Sequence, residues 1–233
     1  MQLVKFSQIK QAHVKMVIAG PGKAGKTFFS VAHNHKTLFL CTEQSQANLA
    51  ISAAIQLGKA KADNIHTVSI DSLETLKEAL GYAREHVKEY GVIVVDNLTG
   101  IEEMIDSSIT DDKPNIDTRS YYRELGKRMR AIINAISALE NNLVVIVHTK
   151  EQMDDTGTQM IRLAMGGNVS KDTLRKSFNL IGYASKLLFK GKVEHWIEFD
   201  SPSKYLNFTG GHPNLAEKEP ADLTAIFNKI KGD

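Results

Sequence analysis

The chain has 233 residues, 42% of them hydrophobic, a length that favours one elaborated domain over two. Its net charge of +2 is close to neutral, so bulk charge gives no argument for nucleic-acid or membrane binding. The single cysteine, Cys41, excludes an intrachain disulfide, and no apolar run has the length of a signal peptide or a membrane span. We therefore expect a cytoplasmic protein.

The first predicted element is a buried strand over residues 13–19 that runs into a glycine-rich turn. This turn fits the phosphate-binding pattern Gly-x-x-x-x-Gly-Lys-Ser/Thr with Gly20, Pro21, Gly22, Lys23, Ala24, Gly25, Lys26 and Thr27, and Phe28 from the following helix completes the predicted nucleotide-binding set. The glycines allow positive φ angles and bring backbone N–H groups against phosphate oxygens. Lys26 supplies positive charge to the β- and γ-phosphates, and the Thr27 hydroxyl suits Mg²⁺. The motif predicts binding of a nucleoside triphosphate.

Short apolar runs and amphipathic stretches alternate through the middle of the chain. Strands are predicted over 37–42, 65–70, 92–96 and 143–147, and helices over 45–57, 73–90 and 119 to about 141. We expect a polar loop over 106–118 and expect Tyr122 in the apolar stripe of the helix that follows it. Strands that are apolar on both faces and alternate with helices predict a mostly parallel sheet covered by helices on both faces.

The pattern changes after Glu151. A hairpin is predicted over 187–199, so antiparallel strands are expected at the C-terminal edge of the sheet. Apolar residues at helical spacing predict a short helix over 221–231. We therefore predict an α/β fold in one domain, residues 1–233, with a core over 14–199 and a C-terminal tail and helix over 200–233.

Two acidic residues follow predicted strands and are candidates for chemistry at the triphosphate. Asp96 ends a run of four apolar residues, which suits an aspartate that holds Mg²⁺ through its water shell. The next residue is Asn97, which cannot act as the base that activates water. Glu43 follows the strand after the phosphate-binding helix, at the edge where ligands of open α/β sheets bind. From periodicity alone, Glu43 is explained equally well as an acid at the start of a helix, favoured by the helix dipole.

The segments 37–49 and 92–96, together with the phosphate-binding loop, resemble the ATPase core of the RecA/RadA recombinases. In size and layout the chain is similar to compact phage-encoded RecA-like ATPases, the AAA-type nucleotide-binding proteins that include single-strand annealing recombinases. This resemblance implies a RecA-like P-loop fold with a catalytic set of Lys26, Glu43, Asp96 and His148, and with Thr27 and Asp96 at the metal. His148 would sense the γ-phosphate from the end of its strand. The family typically has Asn-Gln at that position, so His148 is a departure.

The same resemblance implies ATP and Mg²⁺ as cofactors, a homo-oligomer, a phage-encoded protein in the host cytoplasm, and no membrane association. Single-stranded DNA and a single-strand-binding protein are the implied partners. Loops at 106–118 and 151–168 would face the DNA, and small clusters of basic residues lie at 119–130 and 171–176, although such clusters are equally typical of a solvated face. Lys204 is a candidate for the basic residue that reaches the nucleotide of a neighbouring subunit.

Two other functions stay open at this point. The first is a nucleotide-switched assembly or regulatory ATPase with protein partners and no DNA. The second is a small-molecule kinase, against which the segment 151–168 contains Arg162 alone rather than an arginine-rich lid.

Overall fold

The structure, a computed structural model, describes residues 13–153, 155–189, 191–200 and 209–232. Its strands are β1 (Lys15–Gly20), β2 (Thr37–Cys41), β3 (Ile65–Ser69), β4 (Val92–Asp96), β5 (Asn142–Met153), β6 (Gln159–Leu163), β7 (Leu180–Phe189), β8 (Lys192–Glu198) and β9 (Lys218–Pro220). Its helices are α1 (Lys26–Val31), α2 (Gln44–Gln56), α3 (Leu73–Glu85), α4 (Leu98–Asp112), α5 (Thr118–Ser137), α6 (Asn168–Ser177) and α7 (Leu223–Lys231). Within these described ranges, no helix combines the length and the apolar character that crossing a bilayer requires.

The strands form a sheet in the order β3-β2-β4-β5-β1-β7-β8-β9, and β6 pairs with the far end of β5. The pairs among β1 to β5 and the pair of β1 with β7 are parallel, whereas β6, β8 and β9 pair antiparallel. The predicted α/β architecture is confirmed, with a mostly parallel sheet, helices on both faces and antiparallel strands at the C-terminal edge. Because parallel strands end at one edge, the residues that follow β1, β2 and β4 meet there.

Side chains of the central strands alternate between two buried layers. Val17 and Ala19 of β1 belong to the layer that contains α3, α4, α5 and α6. Met16 and Ile18 belong to the opposite layer, which contains α1, α2 and α7. All four side chains are fully buried, which explains why these strands are apolar on both faces.

The loop predicted over 106–118 is wrong, because α4 continues to Asp112 and only residues 113–117 connect it to α5. Ile105 and Ile109 are fully buried on the inner side of α4. On the outer side Thr110 Oγ1 donates to the carbonyl of Asp106 at 3.1 Å, within the helix itself. Because the outer face of α4 is polar, the sequence pattern did not reveal the four-residue spacing of Ile105 and Ile109 on its inner face.

Elements of the C-terminal half extend beyond their predicted limits. β5 does not stop at Val147 but continues to Met153, because β6 pairs with its extension. The hairpin predicted over 187–199 is confirmed as part of β7 and β8, and the helix predicted over 221–231 is confirmed as α7. Tyr122 is 54% exposed and lies outside the buried stripe of α5, which begins at Leu125. The sequence pattern did not predict α6.

Candidate functional site

The phosphate-binding loop connects β1 to α1 at the carboxyl edge of the sheet. Gly25 has a φ of 89°, in the left-handed region that favours glycine. A Cβ at Gly25 would lie 2.8 Å from Nδ1 of His195, so the close approach of β8 also requires glycine there. Gly20 and Gly22 do not adopt positive φ angles, although glycine allows them.

Lys26 begins α1, and its ammonium group lies against the loop. Its Nζ donates to the carbonyl of Gly20 at 3.0 Å and to that of Pro21 at 2.7 Å. Burial lowers the pKa of Lys26 to about 8, although Asp96 and Glu43 favour the charged form. An ammonium group has three protons, so one donor is left for a phosphate oxygen.

Thr27 and Asp96 meet beside this ammonium group. Thr27 Oγ1 donates to Oδ2 of Asp96 at 2.6 Å. Burial raises the pKa of Asp96, and the hydrogen bond from Thr27 opposes that shift. A hydroxyl and a carboxylate are hard oxygen ligands, and the described residues contain no group of three or more His, Cys, Asp or Glu that could hold a metal. The pair therefore fits Mg²⁺, which keeps several waters and takes phosphate oxygens rather than an all-protein cage.

Glu43 occupies the N-cap position of α2, but its side chain makes no capping hydrogen bond. Instead its Oε1 accepts a hydrogen bond from Nδ2 of Asn97 at 3.1 Å. Cys41 pairs with Asp96 across neighbouring parallel strands, so the chain beyond β2 passes over the end of β4. The Glu43 carboxylate does not cap its helix, and Glu43 lines the same cleft as Asp96.

His148 lies within β5 rather than at its end, opposite Gly20 of β1. Its backbone N–H donates to Oγ1 of Thr99 at 3.1 Å. Burial lowers the pKa of His148, the charge of Lys26 lowers it further, and the charge of Glu43 opposes both effects. The neutral imidazole is therefore favoured beside the cleft.

These side chains converge on one cleft of about 320 Å³. Its lining residues are Gly22, Lys23, Ala24, Gly25, Lys26, Thr27, Phe28, Glu43, Gln46, Ala47, Ala50, Asp96, Asn97 and His148. Gly20 and Pro21 contribute through their carbonyl bonds to Lys26 instead. The sequence analysis missed Gln46, Ala47 and Ala50, whose spacing along α2 places them on one face of the helix that follows Glu43.

β8 brings a further residue to the loop that the sequence pattern did not reveal. Nδ1 of His195 lies 3.2 Å from the carbonyl oxygen of Ala24, although the two residues are 171 positions apart. A neighbouring cleft of about 480 Å³ shares Gly25 and Phe28 with the first cleft and reaches Pro220. The loop is thus bounded on one side by Asp96 and on the other by the antiparallel edge of the sheet.

Basic side chains collect near the extended end of β5 and the start of α6. Burial lowers the pKa of Lys171, and the charges of Lys150 and Arg162 lower it further. Glu102 of α4 partly offsets these charges, and it accepts a hydrogen bond from the N–H of Gly166 at 2.7 Å. The three cations are thus close enough to interact.

One of the basic residues at 119–130, Arg128, is paired with acidic residues of the chain itself. Arg128 forms ion pairs with Glu124 at 2.9 Å and with Asp112 at 3.1 Å. It therefore joins α5 to α4. Lys204 lies outside the described residues.

Known proteins were compared with the chain and with its structure. A KaiC-like protein from the hyperthermophilic archaeon Pyrococcus horikoshii OT3 is similar in structure, with 9% identity and a TM-score of 0.47 over 79% of this chain and 77% of that chain. The flagellar accessory protein FlaH from Methanocaldococcus jannaschii is also similar, with 13% identity and a TM-score of 0.44 over 90% of this chain and 87% of that chain. The curated proteins give no match. A family profile described as an AAA domain (AAA_24) matches residues 12–207, and the chain therefore belongs to this AAA domain family.

Proposed function

We propose that the chain is a Mg²⁺-dependent ATPase. The observation that supports this most directly is the convergence of Lys26, Glu43 and the bonded pair of Thr27 and Asp96 on one cleft. A buried ammonium, a pair of hard oxygen ligands and a carboxylate are the groups needed for hydrolysis of a nucleoside triphosphate at a P-loop. Membership of the AAA domain family supports nucleotide binding.

The loop and Lys26 hold the phosphates in this proposal. Backbone N–H groups of the loop and the remaining proton of Lys26 Nζ donate to the β- and γ-phosphate oxygens. Thr27 Oγ1 and Asp96 would hold Mg²⁺, which neutralises phosphate charge when bound. With the γ-phosphate beside Asp96, the sugar and base would extend the other way, toward the neighbouring cleft beside Phe28.

Glu43 is the residue assigned to the attacking water. Asp96 already accepts from Thr27, and the amide of Asn97 cannot take up a proton. A carboxylate in the cleft can accept a proton from water as the water oxygen bonds to the γ-phosphorus and the bond to the β-phosphate oxygen breaks. A neutral His148 can hydrogen-bond to the γ-phosphate, which supports its assignment as the sensor.

ATP hydrolysis in the presence of Mg²⁺ tests the proposal. Lys26→Ala is expected to lose nucleotide binding or turnover, because it removes the buried ammonium group that the carbonyls of Gly20 and Pro21 hold in the loop. Glu43→Gln is expected to bind ATP normally and to lose turnover by about 10²- to 10⁴-fold. Glu74→Gln, which removes a carboxylate on the exposed surface of α3, is the matched control and keeps the wild-type rate. Normal turnover by Glu43→Gln would remove Glu43 from the chemistry, and a wild-type chain that binds but does not hydrolyse Mg-ATP would refute the proposal.

We further propose that turnover is coupled to single-stranded DNA, as in recombination or strand annealing. The supporting observation is the cluster of Lys150, Arg162 and Lys171, in which Lys150 of β5 pairs with Arg162 of β6 and belongs to the strand that also contains His148. Cations held this close together favour a polyanion such as a nucleic-acid backbone. Self-assembly and a single-strand-binding partner belong to the same proposal.

ATPase rates with and without single-stranded DNA at low salt distinguish the remaining alternatives. Lys171→Ala is expected to weaken DNA binding, whereas Lys77→Ala, on the exposed surface of α3, is the matched control. A chain that neither responds to single-stranded DNA nor anneals complementary strands would not act on DNA. A nuclease-insensitive pull-down dominated by one protein would then support an assembly ATPase, and stimulation by a metabolite would support a kinase.

A further inference from the structure

Asn97 lies in a buried position directly after Asp96 and makes three hydrogen bonds through its backbone N–H and its side-chain amide. Its backbone N–H donates to Oγ1 of Thr42 at 3.2 Å. Its side-chain Nδ2 donates to Oε1 of Glu43 at 3.1 Å, and its Oδ1 accepts from the N–H of Gly100 at 2.7 Å. Only 2% of the residue is exposed, so water does not compete for these groups. The side-chain amide therefore donates to Glu43 at the start of α2 and accepts from Gly100 in α4.

The acceptor half of the amide has a structural role. Asn97 is the N-cap residue of α4, and its Oδ1 satisfies one of the free N–H groups of the first turn. Aspartate and serine cap helices about as well as asparagine, so this role alone does not require an amide. The donor half is different, because neither serine nor ionised aspartate can donate to a carboxylate at the distance that Nδ2 reaches.

We infer that Asn97 is a positioning residue that holds the Glu43 carboxylate toward the attacking water. Nδ2 engages Oε1, and the second carboxylate oxygen has lone pairs available for water. The same residue anchors α4, whose Thr99 accepts from the backbone of His148. Asn97 thus links the carboxylate on one wall of the cleft to β5 on the other. This inference rests on the proposed ATPase function, and it adds a residue to which the sequence analysis gave no role.

Substitutions that separate capping from donation test the inference. Asn97→Ser and Asn97→Asp keep the cap of α4 but lose the donor to Glu43, and Asn97→Ala loses both. We expect both capping variants to lower kcat by about 10- to 100-fold, because the acid loses the group that orients it. Asn97→Ser adds no charge to the cleft and is expected to keep nucleotide affinity within about twofold of wild type. If Asn97 served α4 alone, both capping variants would keep the wild-type kcat, and that result would overturn the inference.

A stability measurement tests the hydrogen bond between Asn97 and Glu43 without relying on turnover. Asn97→Asp places a carboxylate against Glu43, so its melting temperature is expected to lie roughly 2–4 °C below that of Asn97→Ser at neutral pH. A carboxylate at this position also interacts with Asp96 and with the first turn of α4, but these groups stay the same when Glu43 is replaced, so their effects cancel between the two Glu43 backgrounds.

Adding Glu43→Gln to both variants is expected to narrow that gap, because the amide at position 43 does not repel the carboxylate at position 97. A gap of the same size with and without Glu43→Gln would overturn the contact and the inference with it. A wild-type chain without ATPase activity would instead refute the proposed function, and the melting temperatures would still decide whether Asn97 holds Glu43.

Discussion

Lys26 gives a prediction whose size follows from its burial. The residue is 5% exposed, and its pKa falls from the ordinary value of 10.5 to about 8. At about 1.36 kcal/mol per pKa unit, keeping the ammonium charged costs the folded protein about 3 kcal/mol before any phosphate is present. This dehydrated ammonium group can bind an anion, and the free energy needed to bury it lowers the stability of the nucleotide-free chain.

Lys26→Met removes the charge while keeping an unbranched side chain of similar length. The carbonyl groups of Gly20 and Pro21 then lose a donor, which costs about 1 kcal/mol each. We therefore expect the variant, although unable to hold phosphate, to be more stable than wild type by about 1 kcal/mol near neutral pH. Urea unfolding of the two nucleotide-free proteins measures the difference in the free energy of unfolding.

The pH dependence of that difference separates the charge from packing. The folded-state pKa of Lys26 is below the unfolded-state value, so the unfolded chain binds more protons between about 8 and 10.5. The wild type accordingly gains stability as the pH rises through this range, and Lys26→Met does not. The advantage of the variant is expected to fall by about 3 kcal/mol and to change sign. A difference that stays constant from pH 8 to 10.5 would refute the reasoning.

Three further predictions concern the loop and its surroundings. Nucleotide affinity, measured by titration calorimetry, is expected to fall up to about tenfold per pH unit above about 8, because phosphate binding then requires proton uptake by Lys26. Gly25→Ala is expected to lower both the melting temperature and nucleotide affinity, because a residue with a Cβ disfavours a φ of 89° and because that Cβ would contact His195. Adding His195→Ala should restore only the part of the melting temperature that the contact with His195 costs. Glu102→Gln is expected to raise the melting temperature near pH 8 and not near pH 4, because burial raises the pKa of Glu102 and disfavours its ionised form, while the amide oxygen still accepts from Gly166.

The sequence predicted the parts of the site that depend on local order. Lys26 and Thr27 follow from consecutive residues of one motif, and Asp96 follows from an apolar run that ends in an acid. Glu43 could be placed at the same edge because parallel strands end together, and the alternative, an acid at the start of a helix, also describes its position as the N-cap residue of α2. The structure adds that the carboxylate makes no capping hydrogen bond and accepts one from Asn97 instead.

What the sequence did not predict is contact between distant segments. Asn97 and Glu43 are 54 positions apart, and His195 and Ala24 are 171 apart, so no periodic pattern joins them. The error over 106–118 has another origin, because a helix whose outer face is wholly polar has the composition of a loop. Its inner face is recognisable only from the spacing of Ile105 and Ile109, which are fully buried.

Strand order explains how the proposed catalytic acid and the proposed metal ligand can belong to different strands. β2 and β4 are neighbours, and parallel strands lie about 4.8 Å apart, so a side chain beyond β2 can reach one beyond β4 through a single hydrogen bond. An acid placed directly after Asp96 would take the position of Asn97, whose amide already caps α4 and bonds Glu43. The amide of Asn97 thus follows β4, and the carboxylate of Glu43 follows its neighbour β2. Because the spacing of two paired strands fixes this arrangement, the orientation of the Glu43 side chain depends on the sheet and on α4 rather than on a free loop.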